Sequence, residues 1–469
     1  MQEKINAYFD DPQIRKELTA AIARLVGVKS VKGEAAPGAP FGPGPKAALE
    51  EAVALCRDLG FESRNYDDHV GIADLNDKPT QLHILGHLDV VGEGTGWDTD
   101  PYTCVEKDGL LYGRGVSDDK GPTVCALFAM KCVRDLGLPV SKNVRLIMGT
   151  DEESGSEDIA YYYSKEPYAP QSFTPDAEFP LINVEKGHYY PDFGASWPAV
   201  MVEPRVSALT GGFRTNVVPP EAQAEVLGLS AADVRPFCGA VEGQSGAVFT
   251  LTDMVGGVRI HCAGRNAHAA RPEEGVNAIQ AILTVLAQLP LADCESTKAV
   301  KAMHALFPYG DTRGKALGIA QADDVSGELT LNLALITMNE TGFTSKFDCR
   351  FPICATEENC RKVCEASFAQ NGVSVIKDGE MHTYHMVEAG SPLVKTLLEC
   401  YSTYTGVSDP KPIAIGGGTY VHNIPGGVAF GCEFPDFDTK MHCANERARV
   451  DDLLKSAKMF ALAIARLCE

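Results

Sequence analysis

One phrase recurs in the N-terminal third and narrows the possible folds more than any other feature: a short apolar run that stops abruptly on polar or charged residues. QLHILGHLDVV (81–91), VRLIMGTDEESG (144–155) and PLINVEKG (180–187) all follow this design. Such runs read as buried strands. Helix-like apolar spacing fills 13–28 and 46–60, and helices fit between the strands at 121–136 and 156–165. Strands alternating with helices imply a largely parallel or mixed sheet with helices on both faces, an α/β fold. Acids at the carboxyl end of a strand in such a sheet, as in TDEESG, lie where ligands usually bind.

The middle of the chain differs. Between about 188 and 380, AVMVEPRV, AVFTLTDM, GVRIHCAG, ELTLNLALITMN and SKFDCRFPI alternate as β-type runs, interrupted by helical stretches at 275–289, 297–307 and 356–371. This predicts an α+β domain with an antiparallel sheet. The α/β character returns after about 385, with a helix at 391–405, a Gly-rich turn IGGGTY (415–420), a strand VAFG (428–431) and a last helix at 450–467. A chain of 469 residues exceeds what one core usually holds. The simplest architecture is a discontinuous mixed-sheet domain, 1–186 plus 383–469, with an α+β domain of residues 187–382 inserted into it.

Charge and composition exclude several classes. The net charge of −21 disfavours binding to phosphate backbones. No apolar run approaches the ~20 residues that span a bilayer. The start, MQEKINAYFDDPQIRKELTAAIARLV, lacks the apolar core of a secretory signal, so a cytoplasmic protein is expected. The 15 Cys are odd in number and form no paired C-x-x-C ribbon, which fits reduced, mostly buried thiols.

Five phrases carry chemistry. In GHLDVV, His87 and Asp89 would share one face of an extended segment, as a ligand and its orienting partner. LYGRGVSDDKGP (111–122) places Asp118 and Asp119 just before a helix, where capping is the alternative role. TDEESG offers Asp151, Glu152 and Glu153; FTPDAEFP offers Asp176; KMHCANE offers His442. Two imidazoles and several carboxylates suit two borderline divalent ions. Glu152 would remain beside a ligand as a general base.

In this order the phrases resemble the dinuclear zinc metallopeptidases of the aminoacylase/carboxypeptidase type, and more closely the bacterial PepV-type dipeptidases, to which TDEESG, FTPDAEFP, GGGTY and GVAFG are similar. The resemblance implies a zinc-peptidase catalytic domain with an inserted lid. It implies two divalent ions, zinc by default, with manganese or cobalt also suited to such sites. His87, Asp118 and Asp176 would hold one ion, and Asp118, Glu153 and His442 the other, with Asp118 bridging. A cis peptide between Asp118 and Asp119 is expected, and Asp89 would bond the free nitrogen of His87. Glu152 would take a proton from a metal-bridging water and deliver it to the leaving amine. In the lid, His268 of AGRNAHAARP would stabilise the oxyanion and Asn216 of GGFRTNVVPP would help shape the site. Arg350 of KFDCRFP would pair with the substrate's C-terminal carboxylate, joined by Gly417, Gly418 and Thr419.

The implied activity is hydrolysis of unblocked dipeptides by a monomer, including β-alanyl ones. Two alternatives stay open: an N-acyl-amino-acid amidohydrolase or carboxypeptidase with the same chemistry, and a non-catalytic metal- or peptide-binding protein. Some residues depart from the family pattern. Cys443 follows His442 directly and reads best as a packing thiol, and His422 is unexpected after GGGTY. His382 and His385 are spaced for a metal pair only if they lie on a helix.

Overall fold

A computed structural model describes residues 1–469 of the protein. The chain forms two compact units: Met1–Val184 with His385–Ile413 and Gly418–Glu469, and Glu185–Tyr384 with Ala414–Gly417.

The first unit is built on a mixed sheet. Its strands run in the order Glu62–Tyr66, Val70–Asp74, Asn143–Gly149, Thr80–His87, Gln171–Thr174, Gly427–Ala429, Ile182–Glu185 and His385–Met386. Thr80–His87 pairs in parallel with both Asn143–Gly149 and Gln171–Thr174. His87 stands opposite Gly149, so the GHLDVV and TDEESG segments leave the sheet side by side. Buried on both faces, Leu82, Ile84 and Leu85 and their partners Val144, Leu146 and Ile147 explain the continuous apolar runs.

Two helices complete this core. In Lys120–Asp135, 13 of 16 residues are buried, which marks a helix enclosed on all sides. The last helix, Val450–Leu467, buries Leu453, Phe460 and Ile464 in the same cluster. Gly86 is required where the first of these helices meets the sheet: a Cβ there would lie 2.0 Å from Thr123 Oγ1. That close approach brings Asp118 and Asp119, just ahead of the helix, to the end of the His87 strand.

The second unit is an antiparallel sheet ordered Val248–Met254, Gly257–Ala263, Glu221–Leu227, Arg205–Gly211, Thr330–Asn339, Gly342–Phe351, Asp192–Ser196 and Ser374–Lys377. The helix Ala278–Gln288, with Ile279, Ile282, Leu283 and Leu286 buried, belongs to its core. A helix at Ala231–Ser245 has no counterpart in the sequence expectation. Its Pro236, Gly239 and Gly243 dilute the helical signal, although Ser230 and Asp233 form a capping box at its start. AVMVEPRV yields a strand only from Arg205, after a cis Glu203–Pro204 bond. His382 and His385 lie on separate two-residue strands, so the helical His pair is not formed.

All 15 cysteines are free thiols and 12 are buried, in keeping with thiols used for packing. Cys443 is an exception: it is exposed, contrary to its expected packing role. No helix is long and apolar enough to cross a membrane.

Candidate metal centre

His87 closes its strand with a fully buried ring. Its Nε2 lies 3.0 Å from Asp118 Oδ1 and 3.6 Å from Asp176 Oδ2. On the other side, Nδ1 faces the backbone carbonyl of Asp89 at 3.0 Å, while the Asp89 carboxylate stands 3.5 Å away. The expected carboxylate–imidazole contact is therefore present but loose, with the backbone carbonyl of the same residue nearer the ring. The strand ends at His87, so the shared-face rule of an extended segment no longer governs residue 89. The Asp89 carboxylate also accepts the backbone N–H groups of Glu152 (3.2 Å) and Glu153 (3.1 Å) and so fixes the acidic turn.

Asp118 joins Asp119 through a cis peptide. Its second oxygen, Oδ2, lies 2.7 Å from His442 Nε2, which is also 3.2 Å from Glu153 Oε2. One carboxylate thus addresses two imidazoles, one with each oxygen. Two groups of ligand-type atoms result, each within 4.8 Å: His87, Glu152 and Asp176, and Asp118, Glu153 and His442. Glu152 therefore stands among the donors of the first group as well as beside the second. Asp119 Oδ2 accepts the His87 N–H and the Thr123 hydroxyl, both at 3.0 Å, while its buried Oδ1 has no hydrogen-bond partner.

The donor chemistry fits divalent cations. Six carboxylates (Asp89, Asp118, Asp119, Glu152, Glu153 and Asp176) surround two imidazoles in a largely buried space. Burying so many like charges is costly unless cations compensate. The titration of the groups records that tension. Burial raises the Glu152 carboxyl well above its ordinary value; His87 opposes this, and Asp176, Glu153 and Asp118 reinforce it. Asp176 is raised by burial and by Asp118. Burial disfavours charge on His87, yet Asp118, Asp176 and Asp89 outweigh it and hold the imidazole well above its ordinary value.

Supporting residues escaped the sequence reading. Asp158 is fully buried, accepts the N–H groups of Thr150 and Asp151 and the Tyr420 hydroxyl, and so anchors the backbone leading into Glu152. Gly149 is obligatory beneath it, because a Cβ would meet the Tyr420 hydroxyl at 1.9 Å. Glu433 accepts the hydroxyls of Ser117 (3.0 Å) and Thr439 (2.6 Å), tying the Asp118 loop to the segment that carries His442. The only sequence signal for these acids is their position near the ligand phrases.

In the second unit, Asn216 and His268 lie on two exposed loops joined through backbone groups. The Ala269 N–H donates to the Asn216 carbonyl and the Val218 N–H to the Ala267 carbonyl, both at 2.9 Å. Arg350 is buried and forked on Asp348, with Nε–Oδ1 at 2.6 Å and Nη2–Oδ2 at 2.8 Å. Its Nη1 donates to the Gly416 carbonyl and lies 3.2 Å from His188 Nε2. Gly417 follows in this unit, whereas Gly418 and Thr419 belong to the first, where Thr419 caps the turn Tyr420–Asn423. His422 lies on that turn, its ring 6.2 Å from that of His385.

Comparison with known proteins adds kinship to this geometry. Residues 83–466 match the profile of Peptidase family M20/M25/M40. YtjP of Bacillus subtilis (strain 168), which carries a provisional dipeptidase name, is 34% identical over 464 residues, covering 97% of this chain and 98% of its own. The Beta-Ala-Xaa dipeptidase of Lactobacillus delbrueckii subsp. lactis is 30% identical over 432 residues, covering 91% of this chain and 90% of its own. Among solved structures, human carnosine dipeptidase 1 shares the fold with a TM-score of 0.56 at 17% identity, each chain covered in full (100%).

Proposed function

This chain belongs to peptidase family M20/M25/M40, and on that premise we propose that it is a metal-dependent dipeptidase acting on unblocked dipeptides. The observation that carries the two-ion reading is the placement of Asp118, with Oδ1 3.0 Å from His87 and Oδ2 2.7 Å from His442. His87 and Asp176 would hold one ion, Glu153 and His442 the other, and Asp118 both. Zinc is the first choice for such donors, and manganese and cobalt suit them too. When bound, the ions supply an acidified water and a polarised carbonyl.

The chain's own residues do the rest. Glu152 takes the proton of the attacking water and passes it to the leaving amine. Its backbone is fixed by Asp89, so the carboxylate is aimed before substrate arrives. We assign the developing oxyanion to His268, shaping of the site to Asn216, and the substrate's terminal carboxylate to Arg350, Gly417, Gly418 and Thr419. Arg350 enters that role already oriented by Asp348. In this reading the unit containing the ligands is catalytic and the inserted unit is its lid. The protein acts as a cytoplasmic monomer, a setting that keeps its buried thiols reduced.

The test is hydrolysis of a free dipeptide, its N-acetylated form, a tripeptide and an N-acetyl amino acid, by apoprotein and after adding zinc, manganese or cobalt. Metal-dependent cleavage of the free dipeptide alone is expected. Preference for the acylated substrates would move the protein to the amidohydrolases. No turnover with metal bound would make it a binding protein.

A further inference from the structure

Four residues beyond His442, Glu446 is fully buried. Its Oε1 accepts three backbone N–H groups of one loop, from Gly115 (3.0 Å), Ser117 (3.0 Å) and Asp118 (3.2 Å). Its Oε2 accepts Arg114 Nη1 at 2.7 Å, and its backbone carbonyl accepts the Gly113 N–H at 3.1 Å. Donors from nearly every residue of 113–118 therefore converge on one residue more than 300 positions later in the chain. The loop needs such an acceptor. Gly113 and Gly115 adopt φ of 156° and 93°, outside helix and strand, and buried N–H groups there have no ladder to join.

The other side of the contact is equally constrained. Lys440, His442 and Asn445 hold left-handed φ of 53°, 60° and 60°, which non-glycine residues keep only when their surroundings impose it. Glu446 ends this segment and fastens it to the Asp118 loop. Glu446 thus joins Glu433 in linking the two segments that meet in the 2.7 Å His442–Asp118 contact, and it alone does so through the Asp118 N–H itself.

We infer that Glu446 is the positioning residue of the metal centre: seated on the backbone of the loop that delivers Asp118, it sets that carboxylate between the two imidazoles and so controls the affinity for both ions together. The inference rests on the two-ion reading above. Because Asp118 spends one oxygen on each side, a shift of its backbone disturbs both sides at once. Charge-assisted acceptance of three N–H groups is a strong restraint, and Arg114 balances the buried charge.

The test titrates apoprotein with zinc ion against a chromophoric chelator and records the melting of the apoprotein. Arg114→Met with Glu446→Leu removes the acceptor and the buried charge together. It is expected to fold and to lose roughly 10- to 100-fold in affinity for both ions. Arg114→Met with Glu446→Gln keeps an amide oxygen for the three N–H groups and is expected to restore both affinities. Should the leucine pair not fold, Glu446→Asp keeps the charge beside Arg114 but withdraws it by one methylene, and both affinities should fall together. A folded leucine or aspartate variant that keeps both affinities, or loses only one, overturns the inference while leaving a two-ion wild type intact. A wild-type chain that binds no zinc overturns the two-ion reading and this inference with it.

Discussion

The ligand cluster around Asp118 and the loops that carry Asn216 and His268 are held in opposite ways. In the cluster, backbone N–H groups are gripped by buried carboxylates: Asp89 under Glu152 and Glu153, Asp158 under Thr150 and Asp151, Glu446 under Gly115, Ser117 and Asp118. In the loops, backbone bonds mostly backbone, helped by Asn332 Nδ2 on the Thr215 and Val217 carbonyls, and the Asn216 and His268 side chains stand exposed, His268 Nδ1 taking the Ala270 N–H from its own loop at 3.3 Å. The first arrangement makes function inseparable from folding. The second lets a side chain change while the loop persists. A lid contributing to chemistry through exchangeable side chains and a core contributing through fixed ones is what the contrast predicts.

The largest effect should come from the one cluster residue whose loss spares the ions. Glu152→Ala is expected to keep both and to lower turnover by roughly 10²–10⁴-fold, the range for a lost general base. Ion content by mass spectrometry and kcat check this together, and near-normal turnover would remove Glu152 from the mechanism. Asp158→Ala sharpens the comparison from beneath. It leaves three N–H groups and a tyrosine hydroxyl without their acceptor, so the apoprotein should lose about 3 kcal/mol in denaturant melts while kcat also falls. A loss of kcat with unchanged stability would show that Asp158 does not hold the turn. On the lid side, His268→Ala should leave ion content and melting untouched and lower kcat about 100-fold. A loss confined to KM would make His268 a ground-state binder.

The last effect is on stability alone. His83 is buried against the Tyr163 hydroxyl at 2.9 Å, and burial, with Arg145 nearby, lowers its pKa to about 4 despite Asp74. A depressed imidazole favours the folded state above the unfolded value of about 6.5, and that advantage fades as pH falls from 6.5 towards 4. It amounts to about 3 kcal/mol across that window. His83→Gln should flatten the stability profile between those pH values, and an unchanged slope would locate the dependence elsewhere.

The same contrast explains what was legible in the sequence. The strand ends carrying His87 and Glu152, and the helix that begins after Asp119, announce themselves because apolar periodicity and turn residues are local properties. So does the change from parallel to antiparallel patterning near residue 188. The hairpin Glu62–Asp74 is silent, since its first strand is largely exposed and polar. Glu446, Asp158 and Glu433 are equally silent as acceptors. Their partners are up to hundreds of residues away, and an acid that grips backbone looks, as a letter, like an acid in solvent. Asp89 shows the limit most clearly: the phrase pointed to a carboxylate beside His87, but not to its hold on the Glu152 backbone.

The most direct test of the account is anomalous scattering at the zinc edge from crystals of the zinc-loaded protein. Two peaks are predicted, one bounded by His87 and Asp176 and one by Glu153 and His442, with Asp118 contributing an oxygen to each. A single peak, or two peaks with Asp118 bound to neither or to only one, would contradict it.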